Sequence, residues 1–150
     1  MNSLLIIHNM ELIIDSYINI NSGEDLYPNF NAKQPPDISI LDYLKRIDSY
    51  GIDNFSTLIL TFYLIQLYFD IVGTDQCTKA NIHRIILSAF MISLKFNEDT
   101  TLYQQSYYAR MLGVPLQELN YLETYFLTII DFNIPIFSNA EYNDIITHLS

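Results

Sequence analysis

The sequence predicts an all-α protein. Its 150 residues contain only four glycines and five prolines, and Gly51, Gly73 and Gly113 each lie between long apolar segments that no glycine or proline interrupts. This placement is typical of helix ends, where glycine permits a left-handed backbone. Twelve tyrosines and nine phenylalanines favour strands by propensity alone. However, period-2 alternation is missing, and the connections are too sparse for a sheet of short strands.

Capping patterns help to place the helix starts. Ser39 is followed three residues later by Asp42, and Ser138 by Glu141, as in N-caps whose acidic partner satisfies free amide hydrogens. A polar connector over residues 21–37 contains three prolines and follows the first helix. The predicted helices are residues 4–19, 39–50, 54–71, 79–96, 101–112, 115–131 and a short last helix at 139–149.

Length and charge limit the function classes. A chain of 150 residues can form one compact domain around a single core, without help from disulfides or a structural metal. Seven Lys and Arg against 17 Asp and Glu give a net charge of -10, which disfavours nucleic acid and membrane surfaces as partners. A lone Cys77 cannot form an internal disulfide, and no secretory pattern opens the chain. We therefore expect an intracellular protein, in the cytoplasm, the nucleus or both.

Other kinds of site have little support in the sequence. The most apolar stretch, residues 55–72, contains several polar side chains and is interpreted as a buried helix and not a membrane span. His8, His83 and His148 lie far apart, so neither a metal nor another cofactor is expected. Nucleotide-binding and serine-hydrolase motifs are missing. Cys77 is interpreted as a bystander, and His83 as a structural residue bonded to another helix.

The predicted helix at 79–96 is apolar nearly all round and is expected in the middle of a helix bundle. Its exception is a narrow polar stripe of Asn81, Arg84, Ser88 and Lys95. Lys95 stands at the C-terminal end, where the helix dipole favours a cation. In one interpretation this stripe is the solvent-exposed side of the helix and Lys95 is simply solvated. In the other, Lys95 belongs to a functional site.

Glu123 is the second charge in an apolar setting. It projects inside the apolar arc of the predicted helix at 115–131, where an unpaired carboxylate would cost on the order of several kcal/mol if fully desolvated. It therefore needs a partner. An internal ion pair with Lys95 or an arginine, a partly exposed bundle edge, and a joint grip of Lys95 and Glu123 on another protein all remain open at this point.

Several segments resemble the cyclin box, and more narrowly the single-box P-type or U-type cyclins of the phosphate-signalling group. They occur in family order and cover roughly residues 37–134. Each is short, but together they are unlikely to match by chance. The segments are residues 35–40, 42–47, 81–84, 94–99, 107–109 and 118–123 with 126–127.

The resemblance implies a five-helix cyclin box at residues 37–150, including a short C-terminal helix, preceded by an N-terminal helix and connector at 1–36. It also implies docking on a cyclin-dependent protein kinase, which the chain would activate allosterically without doing chemistry itself. Kinase substrates or inhibitors are further potential partners. By match to the family, Lys95 and Glu123 would bond to kinase backbone. Apolar contacts carry over to Phe96, Leu127 and Phe132.

One position departs from the family pattern. Cyclins usually carry an Asp-Arg pair in the second box helix, whose Asp bonds to an arginine of the first, but Ile65 and Gln66 occupy these places here. Arg46 therefore lacks its expected partner. This puts the internal ion pair in doubt more than the kinase contact.

Two other classes of function stay open beside the kinase regulator. A cyclin-fold adaptor or transcription-associated scaffold would tolerate changes at Lys95 and Glu123. An all-helical enzyme or small-ligand binder would need a pocket lined by polar groups. The segment with Tyr103, Tyr107 and Tyr108 is interpreted as a helix face that packs inward, with a docking surface as the alternative.

Overall fold

The computed structural model describes residues 3–18, 25–50, 55–97 and 103–149, with the backbone alone at positions 50 and 55. Within these ranges the protein is helical without any strand, which confirms the predicted fold class. Two short 3-10 turns, Pro28–Phe30 and Thr74–Gln76, accompany the helices. The helices are α1 Ser3–Tyr17, α2 Ile40–Tyr50, α3 Phe55–Val72, α4 Ile82–Asn97, α5 Gln105–Leu112, α6 Leu116–Ile129 and α7 Asn139–Leu149.

Every predicted helix has a counterpart in the structure. Some of the predicted boundaries lie outside the described residues. These are the end of the first helix at Asn19, the connector start at Asn21, the break at Gly51, the helix starts at Asn54 and Thr101, and positions 98 and 99 of one cyclin-like segment.

Helix α4 begins at Ile82, later than the predicted start at Lys79. The Asn81 side chain donates Nδ2–H to the carbonyl of Gln76 at 2.7 Å, and its Oδ1 accepts the Thr78 N–H at 3.0 Å. Bonds between an Asn side chain and nearby backbone compete with helical hydrogen bonds. They hold a turn in place of the first helical residues that the sequence predicted.

The ends of α5 and α6 also follow from local backbone chemistry. α5 begins at Gln105 and closes at Gly113, whose φ of 81° is left-handed and suits glycine. α6 stops at Ile129, before its predicted end, because Asp131 and Phe132 have φ values of 56° and 53°. Positive φ at these two side-chain-bearing residues ends the helix abruptly.

Both predicted N-cap patterns are present. Ser39 Oγ accepts the Asp42 N–H at 3.0 Å, one residue ahead of α2. At α7 the arrangement is reciprocal, since Ser138 Oγ accepts the Glu141 N–H at 3.2 Å and Glu141 Oε1 accepts the Ser138 N–H at 3.2 Å. This is a capping box, and it satisfies amide hydrogens that a helix start otherwise leaves free.

Helix α4 is central, as predicted from its apolar residues on nearly all sides. It packs most extensively against α3 and next against α6, with a smaller contact to α2. All its residues from 85 to 94 are buried. α3 is equally a core helix, and none of the described helices is long and apolar enough to cross a bilayer. The ends of α4, where burial stops, therefore decide which of its polar groups reach the surface.

The connector and α1 pack on the same core as the later helices. Phe30 is fully buried, and its ring centroid lies 5.5 Å from that of Tyr68 and 6.3 Å from that of Phe126. The connector backbone is also tied down, since Ala32 N–H donates to the carbonyl of Ala80 at 2.8 Å. α1 contacts both α2 and α7. Apolar burial thus fixes the described part of residues 25–37 against the helices that follow.

Candidate functional site

Lys95 and Glu123 lie together between the end of α4 and the middle of α6. Lys95 Nζ donates to Glu123 Oε2 at 2.8 Å. The Lys95 side chain is 41% exposed and that of Glu123 only 11%. The carboxylate therefore has the partner that its apolar surroundings required, while the ammonium group keeps access to solvent. The pair is both an internal ion pair and a charged feature at the surface.

A third side chain completes this pair. Gln105, the first residue of α5, donates Nε2–H to Glu123 Oε1 at 2.5 Å. Each carboxylate oxygen of Glu123 therefore accepts one hydrogen bond, from α4 on one side and from α5 on the other. Sequence reasoning missed Gln105, because a polar residue near a helix start is ordinary. No periodicity marks it, and only the folded contact shows its role.

The three predicted apolar contact residues lie on the segments that carry the ion pair or directly follow α6. Phe96 comes next to Lys95 in the chain and is 43% exposed. Leu127 is half-buried and lies one helical turn after Glu123. Phe132 is 63% exposed, and its N–H donates to the carbonyl of Leu127 at 2.8 Å. The left-handed backbone after α6 thus leads from a half-buried leucine to an exposed aromatic ring.

Ile136 is an exposed apolar residue that the sequence analysis did not single out. It is 85% exposed, the highest value among the large apolar side chains described. It lies four residues after Phe132, in the non-helical segment that leads to α7. Apolar residues just outside a helix carry no periodic signal, so sequence reasoning could not separate Ile136 from core positions.

A second ion pair joins α4 to α6 near their starts. Arg84 Nε donates to Glu118 Oε1 at 2.6 Å, with side-chain exposures of 18% and 31%. The prediction that the polar stripe on α4 faces solvent is wrong for two of its residues. Asn81 is 3% exposed and Ser88 is fully buried, with its hydroxyl bonded to the Arg84 carbonyl at 2.7 Å. A short polar side chain can satisfy itself on nearby backbone and needs no water.

The contacts of His83 are those of a structural residue. Its Nε2 lies 2.8 Å from the carbonyl of Ile38, and its ring packs edge-on against Tyr43 with centroids 5.1 Å apart. The partner lies in the segment ahead of α2, and not in another helix as the sequence analysis expected. Burial lowers the pKa of His83, and the nearby Arg84 charge lowers it further. The imidazole is therefore held neutral.

Cys77 and Ile65 are both core residues. Burial raises the pKa of the Cys77 thiol to about 12, which keeps it protonated and unreactive at neutral pH. Ile65, which takes one position of the family's Asp-Arg pair, is fully buried, while Gln66 is half-buried. Arg46 is exposed on α2. An apolar side chain thus occupies a position where the resemblance implied a charged one.

The tyrosine segment at the start of α5 divides between surface and core. Tyr108 is buried, as the inward-packing interpretation expected, but Tyr103 is 47% exposed. The rings of Tyr103 and Tyr107 stack at 4.2 Å. Within the described ranges, no group of three or more His, Cys, Asp or Glu side chains could hold a metal ion.

Comparison with known proteins decides the family. A family model described as Cyclin matches residues 13–134, which is most of the chain. The chain belongs to the cyclin family. The match begins within α1 and ends ahead of α7, so the cyclin likeness covers Lys95, Phe96, Gln105, Glu123, Leu127 and Phe132, and it ends two residues before Ile136.

Relatives of this cyclin come from fungi and plants. It is 39% identical over 106 residues to PHO85 cyclin-like protein psl1 of Schizosaccharomyces pombe, covering 70% of this chain and 43% of that protein. PHO85 cyclin-7 of Saccharomyces cerevisiae is 33% identical over 120 residues, covering 70% and 40%. Cyclin-U4-2 of Arabidopsis thaliana is 31% identical over 115 residues, covering 77% and 52%.

These names confirm the predicted resemblance to U-type cyclins and to cyclins of the phosphate-signalling group. Together with the all-helical structure they confirm the cyclin-box fold. The chain spans about half the length of the curated relatives that it matches.

Proposed function

We propose that this cyclin is a regulatory subunit that binds and allosterically activates a cyclin-dependent protein kinase. The family membership supports this function, and two relatives are named PHO85 cyclin-7 and PHO85 cyclin-like protein psl1. The same names make the alternative, a cyclin-fold adaptor without kinase activation, the less favoured function. The role is regulatory and non-enzymatic, in an intracellular protein.

The observation that carries the proposal is the solvent-accessible Lys95–Glu123 pair, with the exposed Phe96 next to Lys95 in the chain. A lysine ammonium has three N–H donors, and among the described residues Glu123 takes one of them, so two can serve backbone carbonyls of a partner. Charge-assisted hydrogen bonds of this kind are stronger than neutral ones. The Glu123 oxygens retain lone pairs for a partner N–H. The pair therefore offers a polar centre for docking.

Apolar contacts would surround this polar centre. Phe96, Leu127 and Phe132 bury further area when a partner covers them, and aromatic side chains are over-represented among the residues that dominate binding energy. We propose Lys95, Glu123, Phe96, Leu127 and Phe132 together as the kinase-binding surface. Nucleic acid and membranes are not proposed as partners, because a net charge of -10 opposes both.

The mechanism would be a population shift in the kinase. In kinases a glutamate of the C helix must pair with the lysine that positions ATP. A cyclin that binds the inward position of that helix more tightly than the outward one shifts the kinase toward its active arrangement. The chain contributes binding energy and no catalytic group.

The test compares the wild-type chain with the double variant Lys95→Ala, Glu123→Ala. Each protein is used to capture binding proteins from a native lysate, bound kinases are identified by mass spectrometry, and their activity is measured. The matched control is Lys33→Ala, Asp144→Ala, which removes one exposed charge of each sign elsewhere. Circular dichroism first establishes that all three proteins fold.

We expect the wild type and the control to retain an active cyclin-dependent kinase and the double variant to lose at least about tenfold in affinity, since each removed contact is charge-assisted. Equal retention by the double variant would contradict the proposed binding surface. Capture of no kinase by the wild type, where the kinase is abundant, would contradict the proposed function and favour the adaptor.

A further inference from the structure

Three helices meet at the carboxylate of Glu123. Lys95 at the end of α4 binds Oε2 at 2.8 Å, and Gln105 at the start of α5 binds Oε1 at 2.5 Å. From this geometry we infer that Gln105 is a positioning residue, which fixes the Glu123 carboxylate so that Lys95 is held ready for a partner. The part of the inference that concerns docking rests on the proposed function.

The burial of Glu123 explains why a second donor is needed. Its side chain is only 11% exposed, so water has little access to an oxygen that the protein leaves unbonded. A part-buried acceptor without a donor is unfavourable. The terminal torsion of a glutamate is broad, so a carboxylate held by Lys95 alone could rotate. The bond from Gln105 removes that freedom and fixes both oxygens.

Fixing the carboxylate also orders Lys95. The lysine side chain is long and flexible, and at 41% exposure packing alone does not hold it. Ordering such a side chain when a partner binds costs free energy, and a side chain that is already ordered in the free protein avoids this cost. Gln105 therefore acts on docking through Glu123 and Lys95, without touching the partner.

The choice of a neutral amide matters. Gln105 donates a hydrogen bond without a charge, so it does not compete with Lys95 for the negative charge of Glu123. A lysine or arginine at this position would share that charge and loosen the Lys95 contact. A glutamate would repel Glu123 and attract Lys95. Glutamine meets both requirements, because it binds the oxygen and leaves the ion pair intact.

The first measurement needs no kinase. The motion of the Lys95 ε-methylene group is followed by NMR relaxation in the wild type, in Gln105→Leu and in Gln104→Leu, a control at the neighbouring exposed glutamine. We expect Lys95 to become more mobile in Gln105→Leu and to stay unchanged in the control. Unchanged Lys95 motion in Gln105→Leu would overturn the positioning role. Gln105→Ala, with the best helix former, replaces the leucine variant if that protein does not fold.

The second measurement is a double-mutant cycle on kinase affinity. Gln105→Leu should weaken binding by about 3- to 10-fold in the wild-type background and cause no further loss in a Glu123→Ala background. A loss that persists without Glu123 would show that Gln105 acts by another route and would overturn the inference. So would equal kinase affinity of the wild type and Gln105→Leu, although the proposed function would then survive. Looser Lys95 with no kinase bound by the wild type would contradict only the proposed function.

Discussion

The two ends of α4 use polar side chains in opposite ways. At the start, Asn81 and His83 are buried and bond to the chain's own backbone. At the end, the Lys95 side chain is 41% exposed and the residue Phe96 is 43% exposed. The packed middle of the helix is common to both ends. What differs between the two ends is whether neighbouring described segments cover the polar side chains there.

The start of α4 is covered because two other segments reach it. The turn that follows α3 supplies the Gln76 carbonyl to Asn81, and the segment ahead of α2 supplies the Ile38 carbonyl to His83. At the other end, Lys95 bonds to Glu123, which in turn accepts a hydrogen bond from Gln105, and within the described part of the chain Lys95 and Phe96 stay exposed. Polar groups at the first end therefore contribute to stability, and those at the second end remain available for binding.

The largest effect on stability is expected at the covered end, from Asn81→Ala. This change removes the buried hydrogen bond to the Gln76 carbonyl and the part-buried one from the Thr78 N–H, so the free energy of unfolding should fall by about 2–3 kcal/mol. Urea denaturation measures it. The control Asn120→Ala, at an exposed position of α6, should change stability by less than about 0.5 kcal/mol. Equal losses in both variants would mean that the two ends do not differ as described.

The complementary change at the open end is Phe96→Ala. Because the ring is 43% exposed in the free protein, its removal should cost little stability, but kinase affinity should fall by about 1–2 kcal/mol, or roughly 5- to 30-fold. Titration calorimetry against the captured kinase measures this. Leu12→Ala is matched in exposure on α1, where Leu12 is 53% exposed, and should leave affinity unchanged. A similar loss for both variants would argue against a docking surface at Phe96.

The smallest effect is a pH dependence at the covered end. The pKa of His83 is lowered in the folded protein from an unfolded value of 6.5, so the unfolded chain binds the proton more readily. Stability should therefore fall as pH drops below about 6.5, and the loss should level off beneath the folded pKa. His83→Gln should flatten this part of the profile between about pH 7.5 and 5.5, whereas His148→Gln, an exposed control, should keep it.

Stability that does not decline in the wild type over this range, or that declines equally in His83→Gln, would show that His83 is not the titrating group. Denaturant melts at several pH values give the comparison directly. The end of α4 proposed to bind a kinase should be insensitive to the His83 change, since the two ends are separated by the length of the buried helix.

Much of the fold could be predicted from the sequence. The order of the seven helices in the described residues, the central position of α4 and the caps at Ser39 and Ser138 depend on residue periodicity and on hydrogen bonds between residues close in the chain. The need of Glu123 for a partner also followed, because a carboxylate within an apolar arc is costly to leave unpaired. Local patterns of this kind are visible without a structure.

Only the tertiary structure decided which polar groups are partnered and which stay open. Asn81 and Ser88 share a stripe with Lys95 in the sequence, yet they are buried while Lys95 is exposed. Gln105 reaches Glu123 across 18 positions of the chain, and the turn after α6 exposes Phe132. Such contacts depend on how helices cross and where a neighbouring segment ends. Burial and side-chain reach are properties of the packed helices together, so no single stretch of sequence contains them.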